Sequence, residues 1–415
     1  MTSVWRQILV LILVFLPDAA GAEEAVTHQG RHYPGTLRTK DFLLAGTAKP
    51  LPLEQLHLVQ FPQHPAPLPR CRLLNQLLFP GEQRVIGELL AVGATDVRFR
   101  IASGEAFTLS RRQVQGVVQA DEYLTQWSED FEGKAGPSWS GKPIFSEEHA
   151  FSGKKSLLVN AASHEVSLAI GAVQKPETAY RATLFFFDPG PKAGAVARID
   201  FVFQSREAAV PVSVHLGSHY HGQNHGFQLK AGPGWHILQV DWRSGEARAF
   251  IDDYFITSQT IPPNARLTSC RFSFEGQGGM WFDSLQVSAK AAPVRRTPGP
   301  PELDEVWLAS GDQVFGAVRQ ADAHGVVLEG GFGKRTFPWT NVRGVFFRSE
   351  ATPPALKQSV EVRFRSAPGI SPDQLTGTIV DLNDRELVLQ HLVLGKLAIA
   401  RTRLDRIRYP GPAGK

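Results

Sequence analysis

Sulfur is scarce in this chain of 415 residues, which has only two cysteines, Cys71 and Cys270, and two methionines. Two cysteines cannot build the multi-disulfide framework of small secreted domains or the four-cysteine set of many structural zinc sites. A core of this size does not need a disulfide, so we expect two buried free thiols. A disulfide between the two is the alternative, and it would need Cα atoms within about 7 Å.

Long apolar runs are also missing. The run at residues 8–16 has nine residues, whereas a membrane-spanning helix needs roughly 20. Arg6 precedes this run, and Pro17 and the small residues 20–22 follow it, which is the order of a secretory signal peptide. We therefore predict that residues 1–22 are a signal peptide, that the mature protein is secreted or periplasmic, and that it has no transmembrane segment after cleavage. An uncleaved N-terminal anchor is the alternative.

Strong charge of one sign is absent, since 44 Lys and Arg face 40 Asp and Glu and the formal net charge is +4. Such a balance does not imply a nucleic-acid partner. Catalytic motifs are missing as well: the sequence has no Gly-x-Ser-x-Gly elbow, no His-Glu-x-x-His and no phosphate-binding glycine loop. These absences favour a binding or scaffolding protein over an enzyme.

What is present is β structure. The 38 glycines and 29 prolines stand among short runs rich in Val, Phe, Leu and Thr, which favours strands joined by turns over helices. One pattern occurs four times: a glycine, alternating strands, a second glycine and a closing pair of apolar residues three apart. The first glycines and closing pairs are Gly35 with Leu56/Val59, Gly87 with Val114/Val117, Gly316 with Val342/Val345 and Gly377 with Leu404/Ile407.

Alternation of apolar and polar residues within each copy lets every strand bury one face. Several short strands of this kind form a strongly bent sheet or small barrel. In strand count and glycine placement the copies resemble SH3-like or Sm-like small β-barrels over residues 27–120 and 302–410. The Sm-like comparison raises RNA binding by arginines of the last copy. We interpret these arginines instead as a solvated strand face, or as a contact to an anionic wall polymer or a lipid head group; they are Arg401, Arg403, Arg406 and Arg408.

The central block has different motifs. It opens with 129–133 (Glu-Asp-Phe-Glu-Gly), Trp139 and 152–157 (Ser-Gly-Lys-Lys-Ser-Leu), and this resembles the opening of jelly-roll carbohydrate-binding modules. Residues 232–253 look like the Trp-strand-turn-strand-Asp passage of laminin-G and concanavalin-like sandwiches, and 279–287 match the last strand of both groups. The resemblance implies a two-sheet antiparallel sandwich.

In such modules the acidic opening and the last-strand Asp commonly hold a structural calcium ion. The matching positions are Asp130, Glu132 and Asp283, and hard oxygen ligands of this kind suit calcium. The resemblance therefore implies a structural calcium as the one candidate cofactor. Three ordinary surface acids are the alternative.

A sugar is the small ligand that the resemblance implies. Tyr220, His221, Trp235 and Trp242 combine aromatic faces with polar groups, which suits the recognition of a sugar ring. Trp235 and Trp242 are seven residues apart on one predicted strand and point to opposite faces, so at least one of them belongs in the core.

Four histidines stand close together, and their spacing would allow a zinc or copper site. A polar hairpin at the rim of the sandwich is the simpler interpretation, because no Cys or carboxylate accompanies them. They are His215, His219, His221 and His225.

The sequence thus predicts an all-β protein with a jelly-roll sandwich inserted between pairs of small SH3-like barrel repeats. We expect a secreted, non-catalytic binding or scaffolding protein whose partner is a glycan or cell-envelope polymer. The alternative is a sugar hydrolase of the 3-keto-disaccharide hydrolase-like sandwich group, although the usual Asn-Gly-x-x-Leu-x-x-Trp opening is not found. Carboxylates that could serve it are Glu147, Glu148, Asp241, Asp252 and Asp253.

The predicted domains follow from these patterns and from Pro-rich joints. They are the signal peptide 1–22, a short repeat 23–62, a second repeat 70–120, the jelly roll 125–290, a Pro-rich linker 291–301, a third repeat 302–349 and a fourth repeat 357–410.

Overall fold

The computed structural model describes most of the chain from Glu23 to Pro410; at 220–221 and 228–229 it describes the backbone alone. The described residues are 23–45, 50–62, 64, 66–68, 74–133, 135–163, 165–172, 174–175, 178–190, 195–217, 220–221, 228–229, 233–292, 299–300, 302–322, 324–348 and 359–410.

Strands and single 3-10 turns make up the regular structure of these residues, which confirms the predicted all-β class. None of the described residues belongs to a helix long and apolar enough to cross a membrane. The strands form two flanking pairs of small units and a central sandwich.

Two five-stranded units precede the sandwich, each with a 3-10 turn before its last strand. Unit 1 consists of β1 (Glu23–Thr27), β2 (His32–Leu37), β3 (Asp41–Leu44), β4 (Pro50–Pro52), the turn Leu53–Gln55 and β5 (Leu56–Gln60). Unit 2 consists of β6 (Asn75–Phe79), β7 (Gln83–Val92), β8 (Asp96–Ile101), β9 (Ala106–Ser110), the turn Arg111–Gln113 and β10 (Gly116–Gln119).

The sandwich has fifteen described strands in two packed sheets and a short ribbon. Its strands are β11 (Tyr123–Glu129), β12 (Trp139–Ser140), β13 (Ile144–Ser146), β14 (Ser156–Asn160), β15 (Glu165–Ala169), β16 (Tyr180–Asp188), β17 (Ala195–Gln204), β18 (Ala209–Gly217), β19 (Tyr220–His221), β20 (Gln228–Leu229), β21 (Gly234–Arg243), β22 (Glu246–Ile251), β23 (Tyr254–Thr260), β24 (Arg266–Gly276) and β25 (Gly279–Lys290).

Two further units of the same build follow. Unit 3 consists of β26 (Asp304–Leu308), β27 (Gln313–Ala321), β28 (Gly325–Gly330), β29 (Gly333–Pro338), the turn Trp339–Asn341 and β30 (Val342–Phe346). Unit 4 consists of β31 (Val360–Phe364), β32 (Asp373–Leu382), β33 (Glu386–His391), β34 (Gly395–Ala400), the turn Arg401–Arg403 and β35 (Leu404–Arg408).

All four units share one strand order. The first strand pairs with both the second and the fifth, and strands two to four form a meander. The closing pairs recognised in the sequence lie in the shared core with relative exposures of 2% or less. Their three-residue spacing therefore marks one inward position at the end of the 3-10 turn and one within the fifth strand.

The first glycine of each copy allows two strands to approach each other closely. Gly35, Gly87, Gly316 and Gly377 are not in turns; each stands inside the second strand, opposite the first residue of the first strand. A Cβ there would lie only 2.1–2.5 Å from a carbonyl oxygen of the third strand. Close backbone approach, not a tight turn, requires glycine at this position.

The units pair in an order that does not follow the chain. The last strands of units 1 and 4 pair through β5 and β35, and those of units 2 and 3 through β10 and β30. Units 2 and 4 meet at β7 and β32, where Arg84 lies opposite Gln374. The units therefore form a row in the order 1, 4, 2, 3.

Contacts at the centre of this row are reciprocal. Measured from the first glycine of its own unit, Gln83 occupies the position of Asp373, and Ile86 that of Thr376. The Thr376 amide donates to Gln83 Oε1 at 2.8 Å, and the Ile86 amide donates to the carboxylate of Asp373. Equivalent positions of units 2 and 4 thus donate equivalent hydrogen bonds to each other. A twofold axis that relates unit 4 to unit 2 and unit 1 to unit 3 would produce this pattern.

Buried ion pairs join the units within each pair. In pair 1·4, Arg401 donates to Glu23 at 2.7 and 2.5 Å and to the Leu37 carbonyl at 2.8 Å. In pair 2·3, Arg111 donates to Asp304 and to the Val318 carbonyl. Both arginines open the 3-10 turn of their unit. Arg401 therefore does not lie on a solvated strand face. The same applies to Arg403, which donates to the Arg365 carbonyl and to Ser366.

The sandwich packs its two sheets around a separate core. One sheet has the order β13-β14-β25-β16-β21-β22-β23, with β11 also on β25, and the other has the order β12-β15-β24-β17-β18. Cys270 lies in this core as a free, fully buried thiol, and burial raises its pKa well above the usual value. The prediction of a buried free thiol is confirmed for Cys270, while Cys71 lies outside the described residues.

Candidate functional site

Both faces of the eight-stranded sheet carry aromatic side chains. Along β16, Leu184 and Phe186 point into the core, whereas Phe185 and Phe187 are half-buried on the outer face. Register places Phe187 between Trp235 of β21 and Trp281 of β25 on that outer face. The alternation of side chains along these strands thus places an aromatic surface on the outer face of the sheet, away from the core.

A loop adds two further rings to this surface. His149 stacks on Phe187 with ring centroids 4.0 Å apart, and Phe151 stacks on Phe185 at the same distance. Trp235 lies 5.4 Å from Phe151 and 5.6 Å from Phe187. We call the following set the aromatic cluster: His149, Phe151, Phe185, Phe187, Trp235 and Trp281.

Asp283 fixes the loop that carries these two rings. The Phe151 and Ser152 amides donate to Asp283 Oδ2 at 2.8 and 2.9 Å. Burial raises the pKa of Asp283, and the amide donors oppose that rise. The next residue, Ser284, has φ of 53° and begins a bulge in the pairing with β16. A buried carboxylate therefore orders the loop over the sheet.

Trp235 and Trp242 occupy opposite faces of β21, as their spacing predicted. Trp235 is half-buried in the aromatic cluster. Trp242 is 5% exposed and stacks on Tyr180 with centroids 5.5 Å apart. Assigning Trp242 to a ligand surface was therefore wrong, because its ring fills the core between the two sheets.

The remaining sequence-predicted ligand residues stand on the ribbon β19·β20. Its backbone pairs Tyr220 with Leu229 and His221 with Gln228; the side chains of Tyr220 and His221 lie outside the described part of the chain. Among the predicted metal histidines, His215 is exposed on β18, and His219 and His225 also lie outside the described residues. The described residues contain no group of three or more His, Cys, Asp or Glu that could hold a metal ion.

The acids proposed for calcium bind backbone amides instead. Glu132 Oε1 accepts from the Lys154 and Lys155 amides at 2.6 and 2.9 Å. Asp130 Oδ1 accepts from the Glu132 amide at 3.2 Å. Together with Asp283, these carboxylates join the opening of the sandwich to its last strand through hydrogen bonds. The described residues do not gather them into one metal site.

The carboxylates considered for hydrolysis also have structural partners. Asp241 is held by Arg181 in a two-pronged ion pair at 2.6 and 2.8 Å. Asp252 lies 2.6 Å from His236 Nδ1, and Asp253 accepts from the Gly369 amide of unit 4. Each of these three carboxylates therefore has a partner within the protein.

Asp252 and Asp253 have φ of 49° and 70° and form the two-residue turn between β22 and β23. Positive φ at both central positions is typical of a type I′ hairpin turn. The two adjacent acids are therefore the turn of a β-hairpin.

Sequence reasoning missed most of the aromatic cluster. Phe185, Phe186 and Phe187 are consecutive. Since successive side chains of a strand point to opposite faces, both faces of this strand carry phenylalanine. In a strand that is buried on one face, apolar residues normally alternate with polar residues. The break in alternation at this triplet was the signal that could have located the cluster.

No family model and no curated protein matches the chain. Solved structures that it resembles include the C-terminal family 22 carbohydrate-binding module of Clostridium thermocellum Xyn10B, at 15% identity and a TM-score of 0.27 over 42% of this chain and 99% of the module.

Two further resembling structures come from other bacteria. The CBM22-1 xylan-binding domain of Paenibacillus barcinonensis Xyn10C has 15% identity and a TM-score of 0.25 over 41% of this chain and 96% of the domain. Domain 4 of AbnA, an extracellular arabinanase of Geobacillus stearothermophilus, has 14% identity and a TM-score of 0.26 over 42% and 96%. Scores this low do not carry a function to this chain. The resemblance of the flanking units to SH3-like or Sm-like barrels also stays a prediction.

Proposed function

We propose that this protein is a non-catalytic, extracytoplasmic glycan-binding protein whose sandwich holds sugar rings on the aromatic cluster, while the row of units is its scaffold. The observation that carries this proposal is the position of Trp235 and Phe187. Both rings are half-buried on the outer face of the sheet and take no part in the core between the sheets.

The chemistry of the cluster fits a sugar. Pyranose rings have apolar faces that stack on aromatic rings, and their hydroxyls need hydrogen-bonding groups at the edge. His149 supplies such an edge, because its side chain is 32% exposed and lies 3.9 Å from the exposed carboxylate of Glu148. Aromatic faces and polar edge groups therefore stand side by side.

Replacing Trp235 by alanine is expected to weaken glycan binding at least tenfold, because it removes a large ring from the platform. A glycan array on the full chain identifies the sugar, and calorimetry then measures its affinity for the wild type and the variant. Running both with and without EDTA also tests for a calcium requirement.

The matched control is Phe255→Ala, which truncates a 49% exposed ring of β23 outside the cluster. It should leave the affinity unchanged. Equal weakening by both substitutions, or an array with no glycan bound under either condition, would contradict the assignment.

Export is the second part of the proposal. The order of charged, apolar and small residues in 1–22 supports removal of this segment after Ala22. N-terminal sequencing of the protein recovered outside the cytoplasm should begin at Glu23. A protein that begins at Met1 would show that the segment is retained.

A further inference from the structure

Three arginines lie together on the outer surface of unit 4. Arg363 of β31 stands directly opposite Arg406 of β35, and Arg408 follows two residues further along the same strand. Val362 and Ile407, which alternate with them, are buried in the core, so the arginines face outward. Like charges directly opposite each other on paired strands destabilise a sheet.

The surrounding carboxylates do not fully compensate this charge. Arg363 Nε lies 3.3 Å from Glu361 Oε1, but neither atom has a hydrogen-bond partner among the described residues. Arg406 Nε is also buried without an acceptor there. Burial and the nearby charges of Arg363 and Arg408 lower the pKa of Arg406, which Glu361 and Asp405 oppose.

The other units show that the fold does not need arginine at these positions. Unit 2 pairs its strands in the same register, and units 1 and 3 share the strand order. The residues equivalent to Arg363, Arg406 and Arg408 are Leu78, Gly116 and Val118 in unit 2, Trp307, Gly344 and Phe346 in unit 3, and Val26, Leu58 and Gln60 in unit 1.

We propose that Arg363, Arg406 and Arg408 form a binding site for the oxyanion groups, carboxylate or phosphate, of an anionic polymer. Guanidinium groups bind both oxyanions through paired hydrogen bonds. A bound oxyanion would accept from guanidinium N–H groups of these arginines and relieve the repulsion between the three charges. On the neighbouring strand β5, Gln60 stands opposite Arg406.

The test uses the full chain and two probes, polygalacturonate for carboxylates and linear polyphosphate for phosphates. The double substitution R406Q/R408Q is expected to weaken binding of at least one probe tenfold or more, and the probe that responds identifies the oxyanion. The control K334Q/R335Q removes the same charge from exposed positions of unit 3 and should change binding less than twofold.

Two further measurements separate this site from a structural role and from the aromatic cluster. At low salt R406Q should not lower the melting temperature, since it removes like-charge repulsion; a structural arginine would lower it. R406Q/R408Q should leave neutral-glycan binding unchanged. Equal weakening by both double variants, or no binding of either polymer by the wild type, would overturn the proposal.

Discussion

Arg401→Ala should lower the free energy of unfolding by about 3–5 kcal/mol, the usual cost of leaving one partner of a buried ion pair without the other. Arg401 and Glu23 have side chains only 12% and 8% exposed. With Arg401 gone, Glu23 stays buried, and the one donor left to it in the part of the chain that the structure describes is the Leu37 amide, 2.5 Å from its Oε2. Urea unfolding of the full chain measures the change.

A double variant makes this expectation specific. In Glu23→Gln/Arg401→Met the buried charge is removed while the amide oxygen can still accept from Leu37, so much of the lost stability should return. The exposed pair of Arg319 and Glu329, 58% and 47% exposed, is the control; Arg319→Ala should cost less than about 1 kcal/mol. A similar loss for Arg319→Ala and Arg401→Ala would show that the buried pair has no special role.

Asp373→Asn should stabilise the protein at pH 8 and have little effect near pH 4. Asp373 is fully buried between units 2 and 4, and burial raises its pKa from 3.8 to about 7, although Ser366, the Ile86 amide and two arginines oppose that rise. The folded protein therefore keeps a proton that the unfolded chain releases. Stability contributed by Asp373 is complete below pH 3.8 and is lost as the pH rises to about 7.

The expected gain at pH 8 is up to about 4 kcal/mol, because each pKa unit corresponds to about 1.4 kcal/mol. His391 at the same contact acts in the opposite direction: burial lowers its pKa to about 4, so its contribution is lost as the pH falls. The difference between variant and wild type isolates Asp373. Unfolding free energies at pH 4, 6 and 8 measure it, and a difference that does not change with pH would refute the assignment.

The sequence was sufficient for the fold class and for the inward positions of the repeats. Closing pairs such as Val342/Val345 were recognisable because two apolar residues at a fixed spacing recur four times. The pairing order of the units was not recognisable, since it depends on matches such as Arg401 with Glu23, which are 378 residues apart. Neighbouring arginines look alike in sequence, whether they are buried, as Arg401 is, or face outward, as Arg408 does.

The candidate site was only partly predictable. Trp235 was found because tryptophan is a recognisable platform residue, and its opposite orientation to Trp242 follows from strand geometry. Phe151 and His149 reach the cluster on a loop, whose course depends on the carboxylate of Asp283 more than one hundred residues away. Local pattern carries no information about a contact of that kind.

The pairing of unit 1 with unit 4 also constrains how the chain can fold. Contacts between residues so distant in sequence form late, because a long loop must close first. Until unit 4 has been synthesised, β5 has no β35 to pair with, and its edge is open to strands of other molecules. An exported chain would meet the same delay after crossing the membrane, so β5 would be the strand edge that waits longest for its partner.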